Sequence, residues 1–154
     1  MAGLNHDFLL LSIRENSYTY YMRWINNPLA VQIHDDVMDY IQDTLNWVTC
    51  YNPAKKMMKH SGLNFCGPTI IKSDGAVVTT KIFTAWANLL SNGPKEIKLT
   101  GPYGWIEGES KETGSYSAIK VDRDEVVERF KKLADFSKQV VDSEDELFIL
   151  HLGI

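Results

Sequence analysis

Apolar and polar positions follow two different periods along this chain, and the switches between them mark its elements. Residues 8–13 form a short apolar run that suits a strand. In residues 17–25, Tyr18, Tyr20, Met22 and Trp24 alternate as a strand would, while Tyr18, Tyr21, Met22 and Ile25 would line one side of a helix; both readings stand. Asn27-Pro28 ends this element either way, because proline disfavours α geometry in the residue before it. Val37, Ile41, Leu45 and Val48 then recur at helical spacing, predicting a helix that opens at His34 and stops near Tyr51, before Asn52-Pro53. Asp35 and Asp36 suit its first turn, where carboxylates cap free N–H groups and complement the positive helix end. Lys55, Lys56, Lys59 and His60 precede Gly62, the pattern of a short second helix ended by glycine.

The second half reads more plainly. Residues 63–71 hold a Gly67-Pro68 turn leading into or interrupting a short extended segment. A helix runs from Asp74 to Leu90 with Val78, Ile82, Phe83, Trp86, Leu89 and Leu90 as its apolar stripe, and Asn92-Gly93-Pro94 stops it. From Glu96 the period becomes that of strands, with a turn at Gly101-Pro102-Tyr103-Gly104, a resumed strand at Trp105-Ile106 and an exposed loop at 108–114. Residues 116–121 alternate again. Asp122 and Glu125 then form a D-x-x-E capping pattern ahead of a helix whose apolar side carries Val126, Val127, Phe130, Leu133, Ala134, Val140 and Val141. The run at 147–152 (LFILHL) is nearly continuous and apolar, as in a central strand buried on both faces. These elements predict a single α+β domain over residues 1–154, its mainly antiparallel sheet covered by about three longer helices on one face.

Composition narrows the class. The chain of 154 residues is long enough to bury about two thirds of its unfolded surface. No apolar stretch approaches the roughly 20 residues of a membrane span. The start has no basic leader or small-residue cleavage site, and two cysteines, Cys50 and Cys66, are ordinary for a reducing cytosol. A cytoplasmic protein is the expectation. The charge of −4 is not evenly spread: residues 1–54 carry six acidic groups against two basic ones, Arg14 and Arg23, while the remainder is balanced. Four of those acids, Asp35, Asp36, Asp39 and Asp43, crowd into the first predicted helix, and no lysine or arginine occurs between Arg23 and Lys55. Asp36, Asp39 and Asp43 fall at i, i+3 and i+7, hence on one face. A solvated helix face is the plain interpretation. The functional one is a surface that repels nucleic acid and anionic membrane and captures a cationic protein.

Other chemistries have weaker support. His34 and Asp35 would suit a divalent ion, but the remaining histidines, His6, His60 and His151, recur at no matched spacing. Cys66, followed by Gly67, would serve a small hydrolase or transferase as a nucleophile if His60 or His151 activated it; between apolar residues, a packing role is the alternative. The glycines of 101–108 match neither phosphate-binding nor dinucleotide patterns. No cofactor is expected. Tyr103 and Trp105 suit a protein contact, since aromatic rings anchor interfaces. A third reading is a homodimer burying Trp24, Trp47 or Trp105.

Asp35, Asp36, Asp39 and Asp43, together with the aromatic loop at Tyr103 and Trp105, give the whole chain a character that resembles the small acidic immunity proteins of bacterial toxin–immunity pairs, such as those of contact-dependent inhibition and type VI systems. The resemblance implies a non-enzymatic cytosolic protein that occludes the active site of a basic toxin domain, often a nuclease. Carboxylates would there stand in for the phosphates of the toxin's substrate.

Overall fold

The computed structural model describes residues 4–15 and 21–154. Among them, eight strands and three α-helices follow in the order β1 (Asn5–Ser12), β2 (Val31–His34), α1 (Asp35–Leu45), β3 (Thr49–Asn52), β4 (Met58–Ser61), β5 (Pro68–Ile71), α2 (Ser73–Leu90), β6 (Glu96–Gly104), β7 (Ser115–Asp122), α3 (Arg123–Asp142) and β8 (Leu147–Leu152). Six strands make one antiparallel sheet ordered β2-β1-β8-β5-β3-β4, and β6 pairs with β7 in a separate hairpin. This is the α+β architecture the periodicity predicts.

The apolar run of β8 is explained by its place between β1 and β5. Ile149 faces the helices, where it joins a core with Phe8, Phe83, Phe130 and Leu133. Phe148, Leu150 and Leu152 face the other way, into a second cluster with Leu9, Leu11 and Ile70 that is flanked by Trp24, Ala30, Tyr51 and Met57. Helices α2 and α3 pack closely on each other. Where they meet, the buried Thr79 hydroxyl donates to Ser137 at 2.7 Å and Ser137 donates on to the Leu133 carbonyl, so neither polar group is left unpaired. At the free edge of the sheet, Arg129 of α3 donates to the Gln32 carbonyl of β2, a cover over an otherwise open strand.

Several expectations are corrected. Helix α1 ends at Leu45, not near Tyr51, because Asn46 caps it and Val48 turns back into the core. The chain then alternates as β3, with Cys50 inward. The expected helix at 55–60 is a single 3-10 turn (Pro53–Lys55) followed by β4; Lys56 and Met57 both take positive φ, which breaks any helical run and makes the hairpin. Strand β2 has no counterpart in the sequence reading. Of residues 17–25, Tyr21–Trp24 form a 3-10 turn and 17–20 lie outside the described residues. Gly101-Pro102 is not a turn but an irregularity within β6, whose register with β7 shifts between Thr100 and Tyr103. The reversal comes later, at 105–114, and Trp105-Ile106 do not resume a strand.

One glycine is fixed by close approach. A Cβ on Gly75, in the first turn of α2, would sit 2.2 Å from the Thr49 carbonyl oxygen and 3.0 Å from Ile71 Cγ2. Alanine would gain up to about 1 kcal/mol of helix propensity there. A clash with backbone cannot be relieved by turning a side chain, and overpacking typically costs about 1–3 kcal/mol. Gly75→Ala should therefore lower the urea midpoint despite its better propensity; an unchanged or raised midpoint would show that α2 slides away freely.

Candidate functional site

The acidic segment is held as the first turns of α1, immediately after the edge strand β2. Its N-cap is His34, whose Nδ1 accepts from the Asp36 backbone N–H at 3.1 Å, so the aspartates are released from the capping role the sequence suggests for them. Val37, Met38, Ile41 and Leu45 are buried, which turns Asp39, Tyr40 and Asp43 outward. Asp36 lies beside His34, its Oδ2 3.5 Å from Nδ1. Asp39 and Asp43 enter no ion pair among the described residues.

That arrangement is electrostatically unfavourable for the free protein. Asp39 and Asp43 stand at i and i+4, where like charges cost about 0.2–0.5 kcal/mol. Asp43 also occupies the last turn, which carries no basic residue, at the negative end of the helix dipole. Apolar groups accompany them. Tyr40 lies between Asp36 and Asp43 on the helix surface and meets the Trp86 ring edge-on at 6.0 Å, with Trp86 Nε1 donating to Thr44 Oγ1. Trp47, in the turn after α1, and Leu89 of α2 are 68% and 61% exposed. An exposed aromatic, Tyr40, thus stands beside carboxylates that have no counter-ion among the described residues.

Asp35 belongs elsewhere. Its Oδ1 accepts from His6 Nε2 at 3.2 Å, and His6 Nδ1 lies 2.8 Å from His151 Nε2. An ionised carboxylate only accepts, so His6 carries its proton on Nε2, its Nδ1 is a lone pair, and His151 donates from Nε2. His151 Nδ1 is then a buried acceptor without a hydrogen-bond partner. Both imidazoles are fully buried against Phe8 and Phe65. Burial lowers the His6 pKa, opposed by the hydrogen bond to Asp35, and it lowers that of His151 much further, with His6 adding to the effect. The pair is neutral and joins β1, β8 and the start of α1. Sequence reasoning missed it because residues 6 and 151 meet only through strand pairing.

The aromatic loop is a second, separate place. Tyr103, Trp105 and Tyr116 cluster at the far end of the hairpin, where Tyr103 donates to the Lys111 carbonyl at 2.7 Å and Lys111 Nζ stands 5.1 Å from the Trp105 ring centre. Tyr116, opposite Tyr103, is the partner the sequence did not reveal. A cleft of about 310 Å³ does connect Asp36 with the hairpin, but with its base, Ile119–Asp122 of β7, and not with Tyr103 or Trp105.

The catalytic alternatives find little geometry. Cys66 is exposed, His151 is fully buried, and neither His151 nor His60 hydrogen-bonds to it. Burial pushes the Cys50 thiol up to about 12, which makes it inert at neutral pH. Among the described residues no group of three or more His, Cys, Asp or Glu is placed to hold a metal ion; His34 is spent as a cap and Asp35 on His6. No helix among them is long and apolar enough to cross a membrane. Comparison with family models, with curated proteins and with solved structures finds no match to this chain.

Proposed function

We propose that this protein is a non-enzymatic binding protein of the cytoplasm that captures a basic protein through the outer face of α1, in the manner of the immunity proteins that block a bacterial toxin domain. The observation that supports the reading is the pair Asp39 and Asp43, exposed, without counter-ions among the described residues, and set beside Tyr40. A surface that raises the energy of the free protein is relieved when a cationic partner arrives, and its field speeds the encounter. Tyr40 and Trp47 would supply the desolvated centre of the contact, with the carboxylates around them.

The test begins with the protein that co-purifies with this chain from its native cell, identified by mass and expected to be strongly basic. Association is then followed by stopped flow for the wild type and for the triple variant Asp36→Asn, Asp39→Asn, Asp43→Asn. The wild-type association rate should fall steeply as salt rises, while the variant should associate about tenfold or more slowly at low salt and respond little to ionic strength. Equal rates for the two proteins would reduce the acidic face to solvated surface.

A further inference from the structure

We propose that the cleft beneath Asp7 binds a guanidinium group. The alternation of β1 sends His6 and Phe8 toward the helices and Asp7 to the opposite face of the sheet, between Gln32 of β2 and Leu152 of β8. The side chain sits in a residue only 6% exposed. Its Oδ1 accepts from Gln32 Nε2 at 2.9 Å and its Oδ2 from the Asn26 backbone N–H at 3.3 Å. Both donors are neutral, and a carboxylate has about four acceptor sites, so half of its capacity is unused among the described residues. Asp7 forms no ion pair with a lysine or arginine among the described residues, and the remaining positions hold neither residue.

A buried carboxylate without a counter-ion is a costly feature, only partly offset by two neutral hydrogen bonds. If its task were only to hold the Asn26 turn, a neutral acceptor would do so at lower cost. What it faces is a cleft of about 520 Å³. The amides of Asn5, Asn26 and Gln32 share that cleft with the apolar side chains of Leu4 and Ile25. Gln32, with its Nε2 committed to Asp7, keeps Oε1 as an acceptor. A guanidinium matches this set: it presents five donors in one plane, pairs with carboxylate and amide oxygens together, and is weakly hydrated, so it enters a half-dry cleft at less cost than an ammonium. Its aliphatic stem would lie against Leu4 and Ile25. The site stands apart from α1, which packs on the other face of the sheet, so either can fail alone. An arginine of a protein and a free guanidino compound both carry this group, and the experiment separates the two sources.

The experiment is a titration of the ¹⁵N-labelled protein followed by amide shifts. The probes are N-acetyl-arginine amide, its uncharged isostere N-acetyl-citrulline amide, N-acetyl-lysine amide, and agmatine as a free guanidino compound. Saturable shifts centred on Asp7, Asn26, Gln32 and Gly153 are expected with the arginine probe, and binding about tenfold or more weaker for citrulline, the loss of one charge-assisted hydrogen bond. Lysine should bind less well than arginine. Agmatine binding more tightly than the capped arginine would assign the site to a free compound, the reverse to a protein side chain; either supports a guanidinium site. In Asp7→Asn, whose oxygen can still accept from the Asn26 N–H while its NH2 donates to Oε1 of a flipped Gln32 amide, the saturable shifts should vanish while the rest of the spectrum is unchanged. No saturable shift with either guanidino probe, equal response to citrulline or lysine, or retained binding in Asp7→Asn overturns the proposal. Should Asp7→Asn not fold, the arginine–citrulline comparison decides on the wild type alone.

Discussion

Acidification below pH 6.5 should cost this protein stability at up to about 1.4 kcal/mol per pH unit for each of the two buried histidines. The sign follows from which state binds the proton. His6 and His151 are desolvated by the fold, which lowers both pKa values, that of His151 furthest; in the unfolded chain each returns to the ordinary value. Below the unfolded value the unfolded state therefore holds more protons, and stability falls as pH falls. Above it both histidines are neutral in either state and their contribution is complete. Asp35 softens the loss at His6, because it favours the imidazolium there, but nothing comparable faces His151. Urea unfolding at pH 7.5, 6.5, 5.5 and 5.0 measures the slope. His151→Leu removes the larger of the two titrations and should shrink the slope by about half or more. It should also cost about 1–3 kcal/mol at pH 7.5, because His6 Nδ1 loses its donor in a buried place. A flat profile between pH 7.5 and 5.5, or identical slopes for the two proteins, would mean the buried pair accepts protons without penalty.

The same pair shows where sequence reading reaches its limit. Helices α2 and α3 are legible because each carries its own signal, an apolar stripe at helical period with a stop or a cap beside it; Asp122 does accept from the Glu125 N–H, although Glu125 turns to Arg129 in place of completing the reciprocal box. Strand β8 is legible because burial on both faces leaves a continuous apolar run. Strands β2 and β4 are not, since four residues each at a sheet edge carry too short a pattern to separate from loop, and β4 is mostly exposed. The acidic face could be placed on α1 from spacing alone. Its division could not: whether Asp35 joins Asp39 outside or turns inward depends on His6, which sits 29 residues away and reaches it only because β1 pairs with β2. Asp7 tells the same story, its neighbours Gln32 and Leu152 being set by register.

Replacing Phe83 with alanine should remove about 3–5 kcal/mol, the usual cost of emptying a large aromatic site in a core. Phe83 is fully buried at the middle of a chain of rings: Phe8 meets it edge-on at 6.1 Å from the sheet, and Phe130 stacks on it at 5.9 Å from α3. It thus joins the sheet to both long helices, and the loss has three parts. The side chain forfeits its transfer free energy, each ring pair forfeits a preference worth about 0.5–1.5 kcal/mol, and the surrounding strands and helices cannot collapse into the space without breaking β1–β8 pairing. Against a total stability of about 5–15 kcal/mol for a domain of this kind, the remainder is small. Leu89→Ala, on the same helix but exposed, provides the control and should stay within about 0.5 kcal/mol. Pairing Phe83→Ala with Phe8→Ala should give less than additive loss, because the second substitution removes a contact already gone. Urea midpoints with unchanged slopes measure all of this; a loss below about 1 kcal/mol for Phe83→Ala would show that α2 and α3 close over the gap, and that the ring chain is not what joins them to the sheet.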